Sequence, residues 1–127
     1  MKITLSNFSG IPIYEQIKEQ IKSQILSGEL KEGDKLPSLR ELARDLRISV
    51  LTTTRVYTEL EKEGFITNIQ GRGCYVLGEG SELLKEHMLR EMERNLSDAL
   101  KAAKIAGLNI SEVHQALDLM NEDKQDE

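Results

Sequence analysis

The strongest constraint on the fold of this chain is a pair of helical segments separated by only about three residues. Ser38 is the N-cap of a capping box and predicts a helix over 39–46. Ser49 is the N-cap of a second helix, over 50–63. So short a connection makes the two helices cross steeply, which is the helix-turn-helix arrangement. The apolar residues at the crossing are expected to form its core: Leu39, Leu42, Ala43, Leu46, Ile48, Val56 and Leu60.

Flanking segments complete a winged domain around this pair. Apolar residues that recur at spacings of three and four predict a first helix over about 12–27. Two β-prone runs, at 65–69 and 74–77, are joined by Gln70-Gly71-Arg72-Gly73 and predict a tight β-hairpin. Three helices followed by a hairpin predict a winged helix-turn-helix, in which the hairpin is the wing. A short β-type stretch, Ile3–Leu5, opens the chain.

The rest of the chain predicts a long helix over 81–106 and a last helix that begins after a capping box of Asn109 with Glu112. Apolar side chains on both helices follow a heptad pattern, and such a seam needs a partner helix. We expect it to be the core of a homodimer, with a ligand pocket as the alternative. Small alanines would allow close approach either within one helical hairpin or across a dimer axis. The residues predicted to dimerise are Leu89, Met92, Leu96, Ala99, Ala103, Ala106, Val113 and Leu117.

The predicted fold class is therefore mainly α with a small β-hairpin (α+β), in two parts. Residues 1–78 form the winged helix-turn-helix DNA-binding domain, and residues 79–127 form a two-helix dimerisation or effector segment. The net charge of the whole chain is -5. Residues 1–78 carry 11 Lys and Arg against 10 Asp and Glu, a net of +1, whereas residues 79–127 carry 6 against 12, a net of -6. An acidic average is compatible with DNA binding, because the acidic excess lies in the second part.

Composition argues against several other classes of function. The single cysteine, Cys74, rules out an internal disulfide, and His87 and His114 lie 27 positions apart without a second cysteine to complete a zinc site. We expect no metal, no cofactor and no enzyme activity, and we expect both histidines at surfaces or interfaces. No run approaches the roughly 18 apolar residues of a membrane span, so the chain is expected to be cytoplasmic, with no membrane partner.

The start of the second helix of the pair supplies candidates for reading DNA. Six residues there lie on the side away from the buried stripe of the helix. Apolar side chains and threonine methyl groups suit contact with the C5 methyl of thymine in the major groove. The alternative for Val50 or Leu51 is packing against the preceding helix. The candidates are Ser49, Val50, Leu51, Thr52, Thr54 and Arg55.

Two further positions add basic candidates. Arg40 projects from the first turn of the helix at 39–46 and would hold a phosphate or contact a base; the alternative is an arginine that is only solvated. Arg72, between two glycines at the tip of the predicted hairpin, suits a narrow minor groove, and Gln70 and Gly71 would share the contact. The alternative there is a plain hairpin turn, which the glycines alone would explain.

Several motifs together resemble the GntR family of bacterial transcription regulators, and the resemblance covers residues 12–77 almost without a gap. The short two-helix tail is similar to that of the YtrA subfamily. The motifs are P-I-Y-E-Q-I at 12–17, I-L-S-G-E-L-K-E-G-D-K-L-P-S at 25–38, R-E-L-A at 40–43, Y-T-E-L-E-K-E-G-F-I at 57–66 and Q-G-R-G-C-Y-V at 70–76.

The resemblance implies a homodimeric repressor that binds a palindromic operator in double-stranded DNA, with two recognition helices in successive major grooves. It implies DNA contacts for Arg40, for the start of the recognition helix and for Gly71. Val50 and Thr54 stand where the family often has arginine, which favours an operator read through methyl groups and shape. Subfamily members often control genes for membrane transporters. An unidentified small-molecule effector, where one acts, would alter the separation of the recognition helices.

A second hypothesis is a winged-helix adaptor that binds other proteins and never touches DNA. The two hypotheses differ in where they place the basic side chains. DNA binding requires the arginines of the winged domain to share one face, and an adaptor does not. The arginines in question are Arg40, Arg44, Arg47, Arg55 and Arg72.

Overall fold

The computed structural model describes residues 1–78 and 81–125, with side chains through Asp123. Within those residues it contains five α-helices and one two-stranded antiparallel sheet. The elements are α1 (Ile13–Ser27), α2 (Leu39–Leu46), α3 (Val50–Lys62), β1 (Ile66–Ile69), β2 (Gly73–Val76), α4 (Glu82–Ile105) and α5 (Ile110–Gln125). The predicted fold class, α+β with three helices before a hairpin, is confirmed.

Two compact units divide the chain, Met1–His87 and Met88–Glu127. The first unit holds the elements from α1 to β2 together with the first turns of α4. The domain boundary predicted from the sequence, between 78 and 79, adjoins residues 79 and 80, which lie outside the described residues.

The core of the first unit lies where α1 packs against α3. Ile17 and Ile21 of α1 and Val56 and Leu60 of α3 are fully buried. Polar contacts join the same two helices in steps, pairing Tyr14 with Arg55, Lys18 with Glu59 and Lys22 with Glu63. Each step advances four residues on both helices, so α1 and α3 run parallel and begin at the same end of the domain.

A tight turn sets the crossing of α2 with α3. Ser38 and Ser49 each accept a hydrogen bond from a backbone amide of the helix that follows, at 3.1 and 3.0 Å, which confirms both predicted N-caps. Arg47 adopts a left-handed backbone with φ 57°, and α2 ends there as the Ile48 amide donates to the Ala43 carbonyl at 2.9 Å. Within the predicted crossing core, the buried residues are Leu42, Ala43, Val56 and Leu60, and the half-buried ones are Leu39, Leu46 and Ile48.

The wing consists of β1, β2 and the turn between them. The strands pair antiparallel, with Ile66 opposite Val76 and Ile69 opposite Gly73. Each strand differs by about one residue from its predicted bounds. The connector between α1 and α2 adds a third line of bonds: the Leu36 amide donates to the Cys74 carbonyl, and the Gly33 amide donates to the Val76 carbonyl, both at 2.9 Å. These bonds tie the wing to the segment that leads into α2.

The opening segment of the chain corrects one prediction, because Ile3–Leu5 form no β-strand. The segment lies along α1 instead, where side-chain amides of three glutamines bond its backbone. The pairs are Gln16 with Ser6, Gln20 with Thr4 and Gln24 with Lys2, at 2.7–2.9 Å. Four residues of helix rise about 6.0 Å and two residues of extended chain about 6.6 Å, so the two repeats nearly match. The glutamines take the place of a partner strand.

The first turn of α4 docks on the end of α3. Gly64 has φ 88°, and its α-carbon lies so close to the backbone of Leu83 and Leu84 that a side chain would collide with them. Leu84 is buried. His87 was expected at a surface or interface, but its side chain is only 14% exposed. Its ring meets the Phe65 ring edge to face, with 5.8 Å between the two ring centres.

The second unit contains the rest of α4 and α5. Gly107, with φ 76°, ends α4, and the Leu108 amide donates to the Ala103 carbonyl at 2.9 Å. The predicted capping box forms in both directions, since the Asn109 side chain accepts the Glu112 amide at 2.9 Å and the Glu112 carboxylate accepts the Asn109 amide at 3.1 Å. Among residues 88–123, Ala103 is the one buried side chain.

Alanine at Gly64 is expected to destabilise the domain more than alanine at Gly28. Both glycines have left-handed backbones, with φ 88° and 86°, so each substitution costs about 1 kcal/mol in strain. At Gly64 the added Cβ would also lie 2.8 Å from the Leu83 carbonyl carbon, whereas nothing lies within 4 Å at Gly28. Urea unfolding should show a further loss of about 2 kcal/mol for Gly64→Ala. Equal losses would mean that α4 does not dock on Gly64.

Candidate nucleic-acid interface

The start of α3 is the most exposed part of the helix-turn-helix. One side of α3 is buried, through Thr53, Val56, Tyr57 and Leu60. The other side leaves Leu51 82% exposed and Val50 43% exposed. Neither side chain is therefore buried against α2, which was the alternative for these two positions. Ser49 caps the helix, Thr54 and Arg55 are exposed, and Thr52 is half-buried.

Two buried hydroxyl groups fix α2 against α3 behind this exposed start. The Thr53 hydroxyl lies 3.0 Å from the carbonyl of Leu39 and 3.0 Å from that of Val50, and the residue is completely buried. The Tyr57 hydroxyl donates to the Pro37 carbonyl at 2.7 Å, and burial raises the pKa of this phenol. Both bonds reach the chain at the start of α2, so they set where Arg40 stands relative to α3.

A groove of about 1160 Å³ runs between the wing and the helix-turn-helix. We call it the wing groove. Its walls include Thr54 from α3, Ser38 and Leu39 from the start of α2, and Gln70, Gly71 and Arg72 from the wing tip. The structure thus brings together one predicted residue of α3 with all three predicted residues of the wing. Arg40 is exposed and lies between Leu39 and Glu41, which both line the groove.

The wing tip presents Arg72 to solvent. Gly71 and Gly73 on either side of it have φ 79° and 119°, backbone conformations that residues with a Cβ rarely adopt. The Arg72 amide donates to the Ile69 carbonyl at 2.9 Å, and the Tyr75 hydroxyl donates to the Arg72 carbonyl at 3.3 Å. The backbone of the tip is therefore fixed while the guanidinium side chain is exposed.

Arg55 lies on the other flank of α3, away from the wing groove. Its guanidinium carbon is 3.5 Å from the centre of the Tyr14 ring of α1, and its Nε is 3.2 Å from a carboxylate oxygen of Glu59. Arg55 shares a smaller groove with Leu51 and Thr52. Sequence patterns did not reveal the partnership with Tyr14, because the two residues are far apart in the chain and meet through the packing of α1 on α3.

A cluster of paired charges continues along the same two helices. Glu59 is 3.5 Å from Lys18, and Glu63 pairs with Lys18 and, at 3.3 Å, with Lys22. Burial alone would raise the pKa of the Glu63 carboxyl, but the hydrogen bond from Lys18 and the charge of Lys22 lower this pKa overall. Burial alone would lower the pKa of Lys18, but the hydrogen bond and charge of Glu63 raise it overall. Glu63 and Lys18 are therefore both ionised near neutral pH.

The arginines of the winged domain are exposed on α2, in the turn before α3, on α3 and at the wing tip. Arg72 lines the wing groove together with Thr54, and Arg55 lies on the side of α3 that faces α1. Arg44 and Arg47 are exposed at the end of α2 and in the turn before α3. This is the distribution expected of a helix that enters a groove of DNA between phosphates held on its flanks.

The residues predicted to dimerise differ in their exposure to solvent. Leu89, Met92, Leu96 and Leu117 are about half exposed, Ala99 and Ala106 are exposed, and Val113 is half-buried. Ala103 is buried within the single chain, close to the turn between α4 and α5.

No group of three metal-binding side chains occurs within residues 1–78 and 81–125. None of the helices in that part of the chain combines the length and apolar character needed to cross a bilayer. Cys74 lies in β2, where burial raises the pKa of its thiol.

Comparison with known proteins agrees with this geometry. The profile of bacterial regulatory proteins of the gntR family matches residues 13–76. The HTH-type transcriptional repressor YtrA of Bacillus subtilis (strain 168) is 38% identical over 107 residues, which are 84% of this chain and 82% of that repressor.

Two solved structures extend the comparison. A transcriptional antiterminator from Listeria monocytogenes EGD-e superimposes with a TM-score of 0.71 at 32% identity, over 97% of this chain and 92% of that one. The DNA-binding domain of AraR in complex with operator ORX1 gives a TM-score of 0.50 at 32% identity, over 60% of this chain and 90% of that one. The profile covers the winged domain and the YtrA match continues beyond it, so the chain belongs to the gntR family of bacterial regulatory proteins.

Proposed function

We propose that this protein is a transcriptional repressor that binds a palindromic operator in double-stranded DNA as a homodimer. Membership of the gntR family makes it a DNA-binding regulator of transcription. The observation that carries the proposal is the exposed start of α3, where Leu51 is 82% exposed and lies in one groove with Arg55. A leucine so exposed is poorly placed in water, whereas the methyl groups of thymine offer it a surface in the major groove.

The proposed contacts divide into those that read bases and those that hold the duplex. An α-helix about 10–12 Å across fits a major groove about 12 Å wide. In that position Val50, Leu51 and Thr54 would meet base edges, and Ser49 and Thr52 would stand at the mouth of the groove. Arg40 and Arg55 would hold phosphates on the two flanks. The wing tip, Gln70-Gly71-Arg72, would reach the adjacent minor groove, where a narrow width attracts arginine.

Dimerisation is the second part of the proposal. Support comes from the apolar side chains that α4 leaves in contact with water, since Leu89, Met92 and Leu96 are 52%, 49% and 45% exposed. Their heptad spacing suits a seam between two helices. A two-fold axis through that seam would relate two copies of α3. The two helices would read half-sites whose centres lie one or more helical turns of DNA apart, with about 10 base pairs in each turn. A small-molecule effector would act in this arrangement by changing the separation of the two α3 helices.

The adaptor alternative is not favoured. The family match and the 38% identity to the repressor YtrA favour DNA binding instead. The AraR domain superimposed on this chain holds an operator.

Replacing Arg72 by alanine should weaken operator binding by about 1–3 kcal/mol, because it removes a contact to a base, whereas Arg40→Ala should weaken binding to all sequences and reduce the salt slope by about 1, because it removes a contact to a phosphate. The measurement is fluorescence anisotropy with a duplex from the region upstream of its own gene, repeated over a series of salt concentrations. Arg94→Ala removes the same charge from an exposed arginine of α4 and serves as the control. If the wild type shows no salt-sensitive binding to that duplex, the proposed function is wrong.

Replacing Leu96 by aspartate should convert the dimer to a monomer, because it places a charge in the proposed seam. Sedimentation equilibrium of the full chain measures the change. Leu26→Asp introduces the same charge at an exposed leucine of α1, outside the seam, and should leave the mass unchanged. A monomeric wild type, or a Leu96→Asp variant that stays dimeric, would contradict the proposed seam.

A further inference from the structure

We propose that Tyr14 of α1 is a positioning residue for DNA binding, which holds the Arg55 guanidinium ready to contact a phosphate. The proposal deepens the proposed function and rests on it. It assigns α1 a part in recognition that the helix-turn-helix and the wing alone do not provide.

The geometry leaves the two terminal nitrogens of Arg55 available for a phosphate. One face of the guanidinium lies on the Tyr14 ring, with 3.5 Å from its carbon to the ring centre. The Nε edge lies 3.2 Å from the Glu59 carboxylate. An arginine has five N–H donors, and four of them are on the two terminal nitrogens. The side chain is 57% exposed, and the only hydrogen bond described for it is the one from Nε.

Holding the side chain in the free protein favours binding. A solvated arginine loses rotamer freedom when it grips a phosphate, and that loss weakens binding. An arginine already stacked and paired has little freedom left to lose. A planar guanidinium also meets a phosphate with two parallel bonds, so its orientation affects the strength of the contact.

The position of Arg55 indicates a phosphate rather than a base. Arg55 is one turn further along α3 than Leu51, the exposed residue at the start of the helix, and both line one groove with Tyr14. When the N-terminal turn of a recognition helix enters the major groove, residues one turn later stand near the edge of the groove, where the sugar-phosphate strands run. Because α1 and α3 are parallel, the first turn of α1 lies at the same edge.

The competing explanation is a purely structural clamp, in which Arg55 serves only to join α3 to α1. A clamp and a positioned DNA contact differ in the salt dependence of binding, because only the contact neutralises a phosphate. If the pair is only a clamp, Arg55→Gln leaves the slope of log K against log salt unchanged. A double-mutant cycle then tests whether Tyr14 acts through Arg55, in which case its removal has no further effect once Arg55 is gone.

The experiment compares Tyr14→Leu, Arg55→Gln and the double variant in the full chain, by anisotropy with the upstream duplex over several salt concentrations. Arg55→Gln should weaken binding at least fivefold and lower the slope of log K against log salt by about 1. Tyr14→Leu should weaken binding about two- to fivefold in the wild-type background and not at all in the Arg55→Gln background. Tyr14→Phe keeps the ring face and should retain wild-type affinity.

Circular dichroism establishes that each variant is folded before binding is measured. Should Tyr14→Leu fail to fold, Arg55→Lys provides the second test, because it keeps the charge without the planar group and should still weaken binding. Two outcomes would overturn the inference: equal effects of Tyr14→Leu in the two backgrounds, or wild-type affinity for Arg55→Gln. The proposed function would still stand if the wild type and Arg40→Ala behave as proposed. A wild type without salt-sensitive binding would overturn both proposals together.

Discussion

The parallel packing of α1 against α3 is the interaction on which the rest of the winged domain depends. Ile17, Ile21, Val56 and Leu60 are completely buried, and each contributes about 2 kcal/mol from the apolar surface removed from water. Burial alone would allow the helices to slide along one another. The pairs of Lys18 and Lys22 with Glu63 oppose sliding, because a shift of one turn would leave buried charges without partners.

Core residues and residues proposed to read DNA alternate within a few positions at the start of α3. Thr52, Thr53 and Thr54 are chemically identical, yet Thr53 is completely buried, Thr54 is exposed and Thr52 lies between. The Thr53 hydroxyl bonds the Leu39 carbonyl and so orients the first turn of α2. A substitution at Thr54 is therefore expected to leave the fold intact, whereas a change at Thr53 alters the fold and the placement of Arg40 at once.

The sequence predicted local features of the fold well, because local chemistry determines them. The N-caps and the helical spacings placed four helices and the start of the fifth within a residue or two, and glycines located the wing; the fifth helix continues to Gln125, beyond the last apolar residue of its pattern, Met120. Contacts between distant segments were not predictable in this way. The opening stretch has the composition of a strand but bonds to the glutamines of α1. Ring stacking of Arg55 on Tyr14 exists only because α1 and α3 are in register.

We expect the folding of the second unit to be coupled to the proposed dimerisation. Among residues 88–123 only Ala103 is buried, and helices of 24 and 16 residues have little stability in water without an apolar face to bury. A partner that covers Leu89, Met92 and Leu96 would supply the missing burial, so the segment would gain much of its order in the dimer. Dilution would then disorder α4 and separate the two α3 helices in one step, and operator affinity would depend on protein concentration more steeply than for two preformed domains on a rigid linker.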